Sequence, residues 1–167
     1  MGDPDIIDNM VAEWRSARPD LDDEAYDAMG TVGRLTRVGL LLAPLIDRVL
    51  AERGLGRGEF DVLATLRRQG EPFTMTPTTM SRLLILSPGA MTNRLDRLEA
   101  GGHVQRAHDP VNRRSVLVTL TPAGRALVDE ALDAHTANER QLLDALSPTE
   151  RRRLDAALRR LLHVLEE

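Results

Sequence analysis

The stretch that decides the fold is Ser87-Pro88-Gly89-Ala90-Met91-Thr92-Asn93-Arg94-Leu95-Asp96-Arg97-Leu98-Glu99-Ala100-Gly101-Gly102. A serine hydroxyl before proline is a helix start: the hydroxyl accepts a bond from an orphan amide, and proline at the first helical position gives up no partner. The Gly101-Gly102 pair supplies the C-cap, so a helix is expected from Pro88 to Ala100. Its first turn is small and polar, which suits a backbone that must approach another molecule closely.

Three more such pairs punctuate the chain, Thr76-Pro77, Thr121-Pro122 and Ser147-Pro148, the last also a capping box with Glu150. Periodicity fills the intervals. Ile6, Ile7, Met10, Val11 and Trp14 form one face of a short first helix that ends before Pro19. Leu35, Val38, Leu42, Leu45, Ile46 and Val49 mark a longer second helix that contains Pro44 and closes at Gly54. Phe60, Leu63, Ala64 and Leu66 belong to a third, stopped by Gly70. A short fourth runs from Pro77 to about Leu84. After Gly102 the character changes: 103–107 and 115–120 read as two short strands, and 108–114 between them is a polar tip with Arg113 and Arg114. Helices from Pro122 to about Leu146 and from Pro148 to Leu165 complete the chain, the last with Leu154, Leu158, Leu161, Leu162 and Leu165 on one stripe.

Composition supports a mainly helical protein. Of 167 residues, 42% are hydrophobic but only 2% aromatic, a core material suited to packed amphipathic helices rather than a sandwich. With no cysteine, disulfides and thiolate metal sites are excluded. The longest apolar run, 38–46, is too short to cross a bilayer. The acidic start, with Asp3, Asp5 and Asp8, does not read as a signal peptide, so a cytoplasmic protein without membrane contact is expected. The net charge of −4 argues against nucleic acid only as a sum. Residues 1–30 hold nine acidic residues against Arg15 and Arg18, whereas residues 76–120 hold six arginines against Asp96, Glu99 and Asp109. The basic charge is concentrated in the centre.

Helix, helix, short turn, helix, hairpin is the order of a winged helix-turn-helix, whose second helix enters the major groove of duplex DNA. Here that helix is 88–100, where Gly89 and Ala90 permit close approach, Thr92 and Asn93 can read base edges, and Ser87 with the free amides can hold phosphate. Arg113 and Arg114 at the hairpin tip can reach phosphates or a narrow minor groove. Taken alone, Arg94, Asp96, Arg97 and Glu99 also fit a solvated helix face with i, i+3 pairs. The conjunction of elements in one order favours the DNA reading.

The stretches 57–68, Thr76-Pro77-Thr78, 87–99 and 109–121 closely resemble MarR-family repressors, over roughly residues 32–165. One departure is Asn112, where wings of the family usually carry an aspartate before the paired arginines. The resemblance implies a homodimer joined by its N- and C-terminal helices, with two recognition helices on a pseudo-palindromic operator. It also implies that Thr76, Thr78 and Arg97 belong to the DNA face. The divisions expected are 1–55 for dimerisation and ligand, 56–121 for the winged helix-turn-helix, and 122–167 for dimerisation.

A narrower resemblance concerns the helix bearing Trp14 and the following Arg18-Pro19-Asp20-Leu21-Asp22, which are similar to the urate-responsive branch of the family. The residues that couple ligand to DNA there correspond to Trp14, Asp61, Arg94 and Arg106. The resemblance implies that Trp14 and Arg106 hold a planar anion, while Asp61, paired with Arg94, feels its charge. Trp14 equally suits an anchor in a dimer core, and Arg106 a phosphate contact. A tricarboxylate or a phenolic acid is the alternative effector.

No enzyme constellation appears: there is no glycine-rich phosphate loop, nucleophile elbow or close acid pair. His103 and His108 lack a third ligand, so neither a metal nor a cofactor is expected. The remaining rival is a winged helix that binds only protein.

Overall fold

The computed structural model describes residues 3–112 and 114–166. Arg113, one of the two wing arginines, therefore lies outside the described residues. The chain divides into two compact units, 1–45 and 46–167.

The first unit holds α1 (Ile6–Ala17) and most of α2 (Asp23–Ala51). Asp5 caps α1 by accepting the amides of Ile7 at 2.7 Å and Asp8 at 3.0 Å, and the Asp8 carboxylate returns a bond to the Asp5 amide at 2.8 Å. Arg34 of α2 then clamps both carboxylates, reaching Asp5 at 2.8 Å and also bonding Asp8. Held by that guanidinium, the Asp5 carboxyl falls to about 2. The helices approach closely where Gly33 leaves room for Ile7, whose Cγ2 lies 3.2 Å from the position a Cβ would take. Helix α2 starts well before the apolar positions that mark it in the sequence, because Asp22 caps it through the amide of Ala25 at 2.8 Å. Its 29 residues are also long and apolar enough, by length and composition, to cross a membrane, which the short run 38–46 did not suggest. Val32, Leu35, Val38, Leu40 and Leu41 are exposed on it.

The second unit carries α3 (Arg57–Arg68), β1 (Thr74–Met75), α4 (Pro77–Leu83), α5 (Pro88–Ala100), β2 (Val104–His108), β3 (Val116–Leu120), α6 (Pro122–Leu142) and α7 (Pro148–Glu166). All four Ser/Thr-Pro starts form as expected. Thr76 accepts the Thr79 amide at 3.2 Å, Ser87 that of Ala90 at 3.3 Å, Thr121 that of Gly124 at 3.0 Å, and Ser147 that of Glu150 at 3.4 Å. The expected hairpin is β2 with β3, pairing Val104 with Leu120 and His108 with Val116. A third strand, β1, joins the other edge of β3, giving the order β1-β3-β2. Helix α6 stops at Leu142, earlier than expected, and a turn leads to Ser147. Leu63, Leu66, Met80, Met91, Leu95, Leu98 and Val118 fill one core with Leu50 and Val128, so α5 is anchored by its inner face and free on its outer one.

The ends of α4 and α5 share one device and differ in one residue. Helix α5 closes with His103 N–H donating to Leu98 O at 2.8 Å and Gly102 N–H to Glu99 O at 2.9 Å, with Gly102 at φ 73. Helix α4 closes the same way, Leu86 N–H to Ser81 O at 2.9 Å and Ile85 N–H to Arg82 O at 3.4 Å, with Ile85 at φ 51. The left-handed position after a helix favours glycine, and a β-branched side chain there costs roughly 1–2 kcal/mol. Ile85 is 88% exposed, so its side chain recovers little by packing. Replacing Ile85 with glycine is expected to stabilise the chain by about 1 kcal/mol, a Tm rise of about 2–4 °C in a thermal melt. An unchanged or lower Tm would contradict this reading of the turn.

Candidate nucleic-acid interface and effector site

The outer face of α5 is the site toward which the fold points. Ser87, Gly89, Thr92 and Asn93 are exposed and Ala90 half-buried. Gly89 has open space where a side chain would stand. The Thr92 hydroxyl donates to Pro88 O at 3.0 Å, which turns its lone pairs outward, and the Ser87 oxygen is engaged as a cap. The free amides of this first turn carry the positive end of the helix dipole, a natural seat for a phosphate. Thr78 is exposed on α4 and shares with Arg82, Ile85, Met91 and Thr92 a groove of about 650 Å³ between the two helices. Thr76 is occupied as the cap of α4, its hydroxyl 2.9 Å from that of Thr79.

The wing is held by its own turn. The Asp109 amide donates to Ser115 O at 3.0 Å and the Asp109 carboxylate accepts Val111 N–H at 2.8 Å. Asn112, the departure noted in the sequence, accepts Arg114 N–H through its side-chain oxygen at 3.3 Å, and its carbonyl accepts Ser115 N–H at 2.8 Å. A neutral amide thus steadies the loop by backbone bonds. Arg114 is exposed at the tip.

Two arginines on or beside α5 are committed to carboxylate partners, in one case distant in sequence. Arg97 Nη1 lies 3.0 Å from Glu59 Oε1, while the other oxygen of Glu59 accepts the Gly56 amide at 2.6 Å and so caps α3. Arg97 remains 72% exposed in its side chain, so the pair contributes little by itself and leaves the guanidinium available to phosphate. Arg106 of β2 is held more firmly. It donates to Glu99 at 2.8 Å and to Asp96, and its amide donates to Glu99 at 2.9 Å. The hydrogen bond to Asp96, with that to Glu99, raises the Arg106 pKa above its ordinary value. This clamp ties the wing to α5.

Of the four residues expected to sense an effector, the structure brings Asp61 and Arg94 into one electrostatic environment between α3 and α5. Burial pushes the Asp61 carboxyl up, while Arg94, followed by Arg57, His135 and Arg68, pulls it down. No direct Asp61–Arg94 ion pair forms among the described residues, so the expected pairing acts through space rather than through contact. The Arg94 guanidinium instead lies against Gly58. Arg106 belongs to the same unit but faces Asp96 and Glu99. Trp14 belongs to the first unit, where its half-exposed ring lines an apolar groove of about 300 Å³ with Met10, Met29 and Val32. A third groove, of about 520 Å³, runs between α3 and α6 over Phe60, Ala64 and Leu132. In it His135 meets Phe60 at a ring distance of 5.0 Å and has an unpartnered buried Nδ1. Sequence reasoning passed over Gly58 and Glu59; the Gly-x-x-Glu spacing at 56–59 was the available sign of Glu59.

Residues 55–116 match the sequence model of the MarR family. The transcriptional regulator PecS of Dickeya dadantii is 39% identical over 155 residues, 93% of this chain and 92% of that protein. The chain belongs to the MarR family. Among solved structures, a mutant MarR of E. coli complexed with operator DNA matches with a TM-score of 0.70 and 28% identity, over 79% of this chain and 94% of that one. BpsR of Bordetella bronchiseptica, whose DNA binding is regulated by 6-hydroxynicotinic acid, matches with a TM-score of 0.68 and 29% identity, over 77% and 90%. This MarR-family chain is accordingly a DNA-binding transcriptional regulator of mainly helical, winged helix-turn-helix fold, and not an enzyme.

Proposed function

We propose that this MarR-family regulator acts in the cytoplasm as a homodimeric repressor that a planar anion, urate or a close analogue, releases from a pseudo-palindromic operator. The observation that carries the DNA part is the outer face of α5, anchored by Met91, Leu95 and Leu98, with Gly89, Thr92 and Asn93 free beside a wing pinned by its own turn. On it Ser87, Gly89, Ala90, Thr92 and Asn93 approach the bases and adjacent phosphates. Thr76, Thr78, Arg97, Arg113 and Arg114 fix register on the backbone. Helix α7 supports the dimer: it has no buried residue, and Leu154, Leu158, Leu161, Leu162 and Leu165 all stand exposed. Such a stripe needs a partner, and a second copy supplies one by two-fold symmetry. Helix α2 is covered in the same way.

Arg106 supports the effector part. It neutralises Asp96 and Glu99 on α5, so an anion that draws the guanidinium away leaves two carboxylates of the recognition helix unpaired near the phosphates. Trp14 supplies a flat apolar surface for the anion, and Asp61, already resisting ionisation, is pushed further by it while Arg94 responds. A specific observation favours a second reading, an aromatic carboxylate in the α3/α6 groove. Phe60 and His135 offer faces for a ring there, and Arg68 at its lip forms no ion pair among the described residues.

Trp14→Ala and Arg106→Ala are each expected to raise the urate concentration for half-release of operator DNA about tenfold or more, as loss of a stacking surface or a charged hydrogen bond implies. Both variants should remain folded and dimeric in sedimentation. Full urate response in both would refute these effector residues, and release by an aromatic carboxylate that His135→Ala abolishes would favour the α3/α6 groove.

A further inference from the structure

Gly58 lies in the first turn of α3 with the guanidinium of Arg94 directly on it. A Cβ at this position would stand 2.3 Å from Arg94 Nε, 2.5 Å from Cζ and 2.8 Å from Nη2. Those distances leave no room for any side chain. All three atoms, the nearest to the position, belong to the far end of one flexible side chain that α5 projects across the α3/α5 contact. Most glycines of the helices are different. Gly39 and Gly89 meet nothing, Gly33 meets an aliphatic side chain, and Gly124 meets backbone. Gly58 alone among the helical glycines forms a bare seat for a charged group of the recognition helix.

We infer that Gly58 is a positioning residue, whose missing side chain seats Arg94 against α3 and so fixes how the recognition helix is presented to DNA. Asp61 stands three residues further along α3, close enough for the charge of Arg94 to act on it. The seat therefore places one cation in two roles. It braces α5 on α3, and it holds positive charge beside the half-buried Asp61 carboxylate. Any side chain at 58 leaves the backbone in place and moves Arg94, because the guanidinium rather than the main chain gives way. The inference rests on the reading of α5 as the recognition helix.

The test compares Gly58→Ala, Arg94→Ala and the double variant in the full-length protein, with two readouts. The first is the 13C titration of the Asp61 carboxyl, which needs no DNA. Arg94 lowers that midpoint, so Gly58→Ala is expected to raise it by the same amount as Arg94→Ala, and the double variant no further. The second is affinity for an operator duplex, expected to fall about tenfold in each single variant and to the same level in the double. An Asp61 midpoint in Gly58→Ala equal to wild type, or Gly58→Ala effects that simply add to those of Arg94→Ala, would overturn the inference. If Gly58→Ala does not fold, removal of the guanidinium in the double variant should restore folding; a double variant that stays unfolded also overturns it. Coupled Asp61 shifts with no change in DNA affinity would uphold the seat and count against α5 as the recognition helix.

Discussion

Gly124→Ala is expected to destabilise the protein by about 3 kcal/mol, at the upper end of the usual cost of overpacking. A Cβ at Gly124 would stand 2.0 Å from the carbonyl oxygen of His103, 2.8 Å from its carbon and 3.0 Å from Leu120 Cδ1. Unlike the Gly58 contact, the obstacle is main chain, and that main chain is fixed from both sides. His103 N–H donates to Leu98 O at 2.8 Å, closing α5, and His103 O accepts the Thr121 amide and hydroxyl, each at 3.1 Å, opening α6. The alanine must therefore part the end of α5 from the start of α6. For a chain of this length, 3 kcal/mol corresponds to a Tm lower by about 6–12 °C. A melt within 2 °C of wild type, taking about that margin as the reproducibility of such a comparison, would mean that the close approach is not made in solution.

The second large effect is electrostatic. On the proposed interface, replacing Arg113 and Arg114 together by alanine would remove up to four phosphate contacts from the proposed dimer, two from each wing. The slope of log affinity against log salt should fall by about 3–4, at roughly 0.9 for each contact. Affinity near physiological salt should drop on the order of a hundredfold. The fold should be indifferent, since the loop is closed by Asp109, Asn112 and Ser115 rather than by the Arg114 side chain. Unchanged affinity would remove the wing from the interface, and binding without salt dependence would favour a winged helix that contacts only protein.

The elements of this fold were legible because the signals are local. Four hydroxyl-proline pairs each set a helix start, and the alternation in 115–120 set a strand. What escaped lacks a local signal. Strand β1 is two residues, too short to show a period, and it exists because β3 offers an edge to Thr74 and Met75. Ile85 occupies a left-handed position at which the rule expects glycine, so the closing device of α4 was invisible. Helix α6 ends at Leu142 although apolar residues continue. In the candidate site, the exposed small and polar face of α5 was readable from composition. The pairing of Arg97 with Glu59, 38 residues apart, and the clamp of Arg106 on Asp96 and Glu99 were not, because they depend on how helices and strands pack. The same packing puts Arg94 on Gly58 and leaves Asp61 to feel its field rather than its contact.

The most direct test of a ligand-relieved DNA-binding regulator is an anisotropy titration of a labelled duplex, taken from upstream of the protein's own gene, at fixed salt with and without urate. The account predicts saturable binding at two chains per duplex, stronger than to a scrambled duplex of the same length, and a progressive loss of that binding as urate is added. Equal affinity for the scrambled duplex, or specific binding that neither urate nor any other small planar anion weakens, would contradict it.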